Sequence, residues 1–181
     1  MITLESLVGR QMISADAYDV GEIIDVRYDP FEWNVLGLKV KTKRSEKLAA
    51  GSGKIVLILP EKFVMNDVML LGHPIDKLKD QVAVDSNNMS SLLSLVSTKV
   101  VTKDSILLGT VSAVMIDTDE WKVRSIVVRL DKGAIEAMKM KKGLFEKINA
   151  EIRTGLILSS KEMIHLSEPI SGVRENMTVL D

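Results

Sequence analysis

The sequence repeats itself at an interval of 88 residues. Aligned without gaps, residues 7–41 and 95–129 are identical at ten of 35 positions. The identical pairs are Leu7/Leu95, Val8/Val96, Asp16/Asp104, Gly21/Gly109, Val26/Val114, Asp29/Asp117, Glu32/Glu120, Trp33/Trp121, Val35/Val123 and Val40/Val128. Two tryptophans at one offset are hard to obtain by chance, so we predict an internal duplication with two related units.

Each copy is predicted to form a β-hairpin, over residues 20–41 and 108–129. Gly21 and Gly109 stand where the first strand begins, and a positive φ, a bulge or a close backbone approach there would disfavour a Cβ. The two-residue period of a strand separates two faces. The predicted core face has Ile24, Val26 and Tyr28, and the opposite face has Ile23, Asp25, Arg27 and Lys39.

Charge and composition exclude several classes of function. A net charge of −1 and a pI of about 6.2 give no general attraction to nucleic acid or anionic lipid. The chain has no cysteine, which excludes disulfides and thiolate chemistry and is typical of a reducing compartment. The sequence has no signal-peptide pattern and no apolar run of membrane-spanning length. We therefore expect a cytoplasmic protein with no nucleic-acid partner and no direct membrane insertion.

The chain order predicts the domain boundaries. Residues 1–71 form the first unit, 72–88 a linker, 89–171 the second unit and 172–181 a polar tail. The segments 60–67 and 159–163 are predicted as short helical turns. A polar loop at 41–54 in the first unit is replaced in the second by an amphipathic helix at about 133–152. The apolar residues at roughly helical spacing are Ile135, Met138, Phe145, Ile148 and Ile152.

Short strands separated by Gly and Asp turns indicate a mainly β fold, in which each unit closes into a small barrel and so avoids exposed edges. Each unit has a Gly-led strand, an acidic turn, a second strand, and an apolar strand followed by a short turn of the LPEKFVMNDVMLL type. This order resembles the PRC-barrel family. The resemblance covers nearly the whole chain, twice, and implies two tandem PRC-type barrels, the second with an inserted helix.

The resemblance also implies a function. PRC-barrels without catalytic signatures imply a protein-binding adaptor rather than an enzyme. Two barrels in one short chain are similar to the archaeal PRC-barrel cell-division proteins, whose expected partners are the FtsZ-based machinery and its anchor SepF. The alternative is an adaptor linked to ribosome maturation or RNA processing. A homodimer, or an assembly with a paralogue, is also expected.

Motifs that could carry chemistry are weak. Residues 51–54 (GSGK) resemble the end of a P-loop, but Leu48 stands where its first Gly belongs and Ile55 follows Lys54. His73 and His165 lack partners at metal-ligand spacing and are predicted to lie in turns. The acidic turns at 29–32 and 117–120 lack the ligand pattern of a calcium loop. We therefore expect no catalytic residue, no cofactor and no metal.

Two further features have two interpretations each. Trp33 and Trp121 are either part of the barrel structure or anchors of an interface. Lys41, Lys43, Arg44 and Lys47 form either a solvated loop or a surface for an acidic partner, lipid or RNA.

The predicted outer faces of the two hairpins differ in polarity. Where the first has Ile23, Asp25, Arg27 and Lys39, the second has Val111, Ala113, Met115 and Val127. A bare apolar stripe is unfavourable in water, so something is expected to cover it. The candidate interaction surface is Val111, Ala113, Met115, Val127, Met138 and Phe145. We expect it to support self-association, with coverage by the chain's own helix as the alternative.

Overall fold

The computed structural model describes residues 1–43, 48, 54–86, 88–140 and 147–180. They fall into two compact units. The first comprises Met1–Leu93 and Asp117–Lys122, and the second comprises Ser94–Ile116 and Val123–Asp181. Both units are mainly β, as predicted.

The first unit contains most of the short strands. Its strands are β1 (Ile2–Thr3), β2 (Gln11–Ile13), β3 (Asp19–Tyr28), β4 (Val35–Lys41), β5 (Ile55–Ile58), β6 (Phe63–Met65), β7 (Met69–Leu71), β8 (Val82–Ala83) and β9 (Ser90–Ser91). Its helices are α1 (Leu4–Leu7) and α2 (Ile75–Leu78), with a 3₁₀ turn at Lys79–Gln81. The long strands β3 and β4 form the predicted hairpin.

The second unit repeats this plan. Its strands are β10 (Lys99–Val101), β11 (Leu107–Asp117), β12 (Lys122–Leu130), β13 (Asn149–Arg153), β14 (Ile157–Ser160), β15 (Ile164–Leu166) and β16 (Thr178–Leu180). The helices are α3 (Lys132–Ala137) and α4 (Ile170–Asn176), with 3₁₀ turns at Leu93–Leu95 and Thr154–Leu156. None of the helices in the described part of the chain is long and apolar enough to cross a membrane.

Strand order is the same in both units. The first sheet runs β6-β7-β2-β3-β4-β5-β8 and the second runs β14-β15-β10-β11-β12-β13-β16. The parallel pairs also correspond, since β2 pairs with β7 and β10 with β15. The sequence repeat is therefore a repeat of topology. Both orders are open paths, and among the described residues no pairing joins their ends, so barrel closure is not confirmed.

Gly21 and Gly109 lie where the backbones of two strands approach each other. Gly21 has a φ of +145°, and a Cβ there would overlap the carbonyl oxygen of Lys41. A Cβ on Gly109 would overlap the carbonyl oxygen of Arg129 in the same way. The predicted close approach is confirmed at both positions, because only a residue without a side chain fits there.

A second repeated feature joins a turn to a helix. In the first unit, the hydroxyl of Ser14 and the backbone N–H of Ile75 both donate to Asp16 Oδ1, at 2.6 and 2.9 Å. In the second unit, Thr102 and Ile170 donate to Asp104 Oδ1, at 2.5 and 3.1 Å. The Thr102 hydrogen bond is the main cause that lowers the pKa of Asp104 below its usual 3.8. Each unit thus fixes the start of its last helix with one carboxylate.

The prediction of which β3 side chains face the core is wrong for the first half of the strand. Register shifts lie between Ile23 and Asp25 and between Arg27 and Tyr28. These irregularities break the strict alternation of side chains. Ile23, assigned to the outer face, is therefore fully buried, while Ile24 is only half-buried. Val26 and Tyr28 are buried as predicted.

The two predicted helical turns are strands instead. Phe63–Met65 pairs with β7 as a short hairpin around Asn66 and Asp67. The segment 159–163 begins in β14, which pairs with β15. Pro60 and Glu61 have the residue types of a helix start, but the alternation of Phe63 and Met65 opposite β7 determines the structure.

The predicted linker and tail are ordered parts of the two sheets. Within residues 72–88, the side chains of Ile75 and Leu78 are buried in α2, and β8 pairs with β5. Within residues 172–181, Val173 is buried in α4 and β16 pairs with β13. Both segments contain Gly or charged residues that suggest a loop, but a few apolar side chains are enough to fix them.

The predicted helix at about 133–152 is much shorter. The carboxylate of Asp131 accepts a hydrogen bond from Gly133 N at 2.9 Å, and α3 ends at Ala137. Lys139 then has a φ of +55°, which does not continue a helix. Residues 141–146, in the middle of the predicted helix, lie outside the described residues. The apolar residues Ala150 and Ile152 belong to strand β13, where they share the buried face.

We predict that Gly109→Ala lowers the free energy of unfolding by about 2 kcal/mol or more, because the new methyl group must displace the backbone of Arg129. Gly155→Ala is the matched control, since a Cβ there meets nothing within 4 Å. It should change stability by no more than about 0.5 kcal/mol. Urea denaturation followed by circular dichroism measures both. Equal stability of the two variants would contradict the close approach.

Candidate protein-interaction surfaces

The predicted interaction stripe is largely covered in the folded chain. Val111, Val127 and Met138 are buried, at 1%, 8% and 2% exposed. Ala113 and Met115 are half-buried, and Phe145 lies outside the described residues. The self-association surface stays a prediction, and in the described structure only Ala113 and Met115 offer area for it.

The corresponding positions of the first unit form an ion network. Arg27 Nη2 and Lys39 Nζ lie 2.9 and 3.2 Å from the same oxygen, Asp85 Oδ2. Arg27 Nη1 lies 3.6 Å from Asp25 Oδ2. The Oδ1 atom of Asp25 accepts a hydrogen bond from Val26 N at 2.8 Å and from Leu93 N at 3.3 Å. The polar residues of this face are therefore bound to the chain that follows β8.

Asp85 is the member that sequence analysis missed. It lies in the predicted linker, 58 residues from Arg27, and no local sequence pattern connects the two. The hydrogen bond from Arg27 is the largest cause that holds the pKa of Asp85 below its usual 3.8, and Lys39 acts in the same direction. Burial opposes these effects only in part. Asp85 is thus the charged bridge between β3 and β4.

A groove lies beside this network, at the edge of the first sheet. Lys39, residues 55–57 and residues 82–85 line a cavity of about 330 Å³. Two apolar side chains at the groove are open to solvent, because Ile55 is 52% and Val84 85% exposed. Apolar side chains that border a concave surface are typical of a protein-binding site.

The two tryptophans have different environments. Trp33 is 7% exposed and stacks on Tyr28, with ring centroids 5.3 Å apart. Its structural interpretation is therefore favoured over that of an interface anchor. Trp121 is half-buried, packs against Phe63 at 5.4 Å, and donates from Nε1 to Glu61 O at 3.2 Å.

Trp121 also borders a second groove. This cavity of about 700 Å³ is lined by residues 60–63, Thr118, Asp119 and Trp121, all within the first unit. The backbone of both tryptophans lies in the left-handed region, with φ of 64° at Trp33 and 50° at Trp121. The carboxylates of Asp29 and Asp117 accept hydrogen bonds from the backbone N–H groups of Phe31 and Asp119, so these acidic residues act in turn formation.

The comparison with known proteins concerns the second copy of the hairpin. Residues 87–146 match the PRC-barrel domain. The match spans strands β10, β11 and β12 and helix α3. The chain thus contains a PRC-barrel domain in the part that carries Gly109 and Trp121. No curated protein matches the chain.

The remaining candidates for chemistry lie outside the PRC-barrel domain or form no cluster. His73 contacts the carboxylate of Glu61 through Nδ1, a pair that the sequence did not indicate. His165 lies in strand β15 rather than in the predicted turn. No group of three potential metal ligands occurs among the residues that the structure describes. Residues 51–53 of the GSGK motif, and Arg44 and Lys47 of the basic loop, are outside them.

We predict that Asp85→Asn lowers the free energy of unfolding near neutral pH by no more than about 1 kcal/mol. The effect is small because the Asp85 side chain is 34% exposed and water screens its ion pairs. A carboxyl group whose pKa is lowered in the folded state stabilises the fold above its unfolded pKa, here the usual 3.8. The stability difference should therefore be complete above about pH 5 and disappear as the pH falls through the lowered folded pKa.

Urea denaturation at several pH values measures this difference. Asp80→Asn is the control, because it removes an exposed carboxyl for which the described residues show no ion pair. A stability loss for Asp85→Asn that stays constant down to about pH 2.5 would contradict the electrostatic origin.

Proposed function

We propose that this chain is a non-enzymatic adaptor that binds other proteins, built from two PRC-type units in tandem. The match to the PRC-barrel domain supports the assignment of the second unit. The identical strand order of the first sheet supports its assignment as a second domain of the same kind. The family resemblance implies protein binding as the activity.

The observation that carries the proposal is the groove at the edge of the first sheet. Ile55 and Val84 are 52% and 85% exposed beside a cavity of about 330 Å³. Full burial of such side chains by a partner contributes about 1.5–3 kcal/mol each. A partner that covers both side chains therefore gains affinity from their burial.

The proposed partners follow from the same resemblance. The first candidates are the SepF-like anchor and other proteins of the archaeal FtsZ-based division machinery. The chain would then act in the cytoplasm and reach the division site through these partners. Self-association or assembly with a paralogue belongs to the same proposal. The second candidate is a ribosome-maturation partner, which the near-neutral charge of −1 disfavours for direct RNA contact.

Affinity purification of the tagged full-length chain from its own cells tests the proposal. We expect at least one protein to co-purify, and Ile55→Asp together with Val84→Asp to reduce its recovery about tenfold or more. The control is Leu158→Asp with Val64→Asp, which makes the same change at two other exposed positions. It should leave recovery unchanged.

The outcomes separate the candidates. Division proteins support the first assignment, and ribosomal proteins support the second. Equal recovery with both double variants would show that the groove is not the binding surface. Absence of any specific protein partner would overturn the adaptor proposal. Thermal melting followed by circular dichroism verifies that every variant is folded.

A further inference from the structure

The strand ladder at the groove is shorter in the first unit than in the second. Strand β8 pairs with β5 at only two positions, Leu57↔Ala83 and Ile58↔Val82. In the second unit β16 pairs with β13 at three, Asn149↔Leu180, Ala150↔Val179 and Glu151↔Thr178. The neighbouring strands give the correspondence, because Lys41 faces Ile55 and the equivalent Arg129 faces Asn149. The positions that β16 covers in the second unit are therefore uncovered at Ile55 and Val56 in the first.

At the uncovered edge, the backbone N–H and C=O of Ile55 have no strand partner among the described residues. Thr42 N donates to Lys54 O, and Leu59 N donates to Gln81 O, both at 2.8 Å. In an antiparallel sheet successive residues point their backbone groups to alternate sides, so those of Ile55 point away from β4. Strand β8 ends at Ala83, and among the described residues no strand reaches the N–H and C=O of Ile55.

The chain leaves this edge and crosses the sheet face. Val84, the residue after β8, is 85% exposed. The next residue, Asp85, is held by Arg27 and Lys39, which lie on strands β3 and β4. The ion network thus directs the chain away from the position that a continued β8 would occupy. An edge of two residues remains, in which the side chain of Ile55 is 52% exposed and that of Val56 is buried.

The charges around this edge define the chemistry of an occupant. Lys41, Lys43 and Lys54 are exposed, and among the described residues none of them forms an ion pair. Lys41 lies directly opposite Ile55 on the neighbouring strand. Lys39 shares that face, but Asp85 already neutralises it in part. The edge therefore presents apolar side chains next to lysines. Lys41 lies opposite Glu22 on strand β3, whereas Lys54 has no ion pair among the described residues.

We infer that this edge binds an extended segment of a partner protein, which adds as an antiparallel strand next to Ile55 and Val56. The segment carries apolar side chains that cover Ile55 and Val84, and Asp or Glu residues that meet Lys41 and Lys54. It covers the end of β5 that β8 leaves unpaired, which corresponds to the part of β13 that β16 covers in the second unit. This inference rests on the proposed adaptor function and specifies its binding mode and partner chemistry.

Photo-cross-linking in cells identifies the occupant. The full-length chain carries p-benzoylphenylalanine in place of Val84, and a control chain carries it in place of the exposed Leu158. Mass spectrometry then sequences the cross-linked peptide. We expect a cross-link from position 84 but not from position 158. The cross-linked partner segment should contain apolar residues and Asp or Glu, and no proline.

Two further measurements test the mode of binding in the purified complex. Amide hydrogen exchange at Ile55 should slow about tenfold or more on binding, while that at Val56, whose N–H faces β4, should not change. The double variant Lys41→Glu and Lys54→Glu should reduce partner recovery about tenfold or more. The control variant Lys103→Glu and Lys161→Glu, at exposed positions elsewhere, should not.

The results that would overturn this inference differ from those that would overturn the adaptor proposal. A cross-link from position 84 to residues 44–53 of the same chain, to a basic or helical segment, or to RNA would overturn the inference. Unchanged exchange at Ile55 in a complex that forms would also overturn it, and the adaptor function would stand. If no partner protein co-purifies at all, both proposals fail.

Discussion

The close approach of the Gly21 backbone to the carbonyl oxygen of Lys41 is the contact on which each hairpin depends. It recurs between Gly109 and Arg129, at the same place in the second copy. At this point one long strand pairs with a strand on each side, so any side chain would separate the sheet at its centre. The identity of these two glycines between copies is thus a steric requirement.

The two copies keep this framework and differ on the surface it supports. The face with Asp25, Arg27 and Lys39 is bound by a carboxylate from a distant segment, whereas its counterpart is apolar and partly covered. The two units therefore have the same strand order but chemically different side chains on this face. The second copy also keeps the longer edge ladder, with three residue pairs between β13 and β16 and two between β5 and β8.

The strand pattern could be predicted because it depends on residues that are close in sequence. The sites could not be predicted, because their residues are far apart in sequence. Alternation and the recurring Gly21 predict the hairpin, its turn and its second copy. The bulge near Ile24 shifts one face, and no residue type marks it in advance. Ile148 and Ile152 are four residues apart, a spacing that fits one face of a helix as well as one face of a strand, which explains the overlong helix. The pairing of Asp85 with Arg27 depends on how the chain crosses a sheet, which composition does not encode.

The first unit is discontinuous, since it includes Asp117–Lys122 from the tip of the second hairpin. Trp121 in that tip packs on Phe63 and donates its indole N–H to Glu61. During synthesis the first unit therefore cannot complete its packing when its own 93 residues have left the ribosome. It must wait until strand β11 and the following turn have emerged as well. Completion of the first unit thus depends on residues that are translated within the second copy of the hairpin.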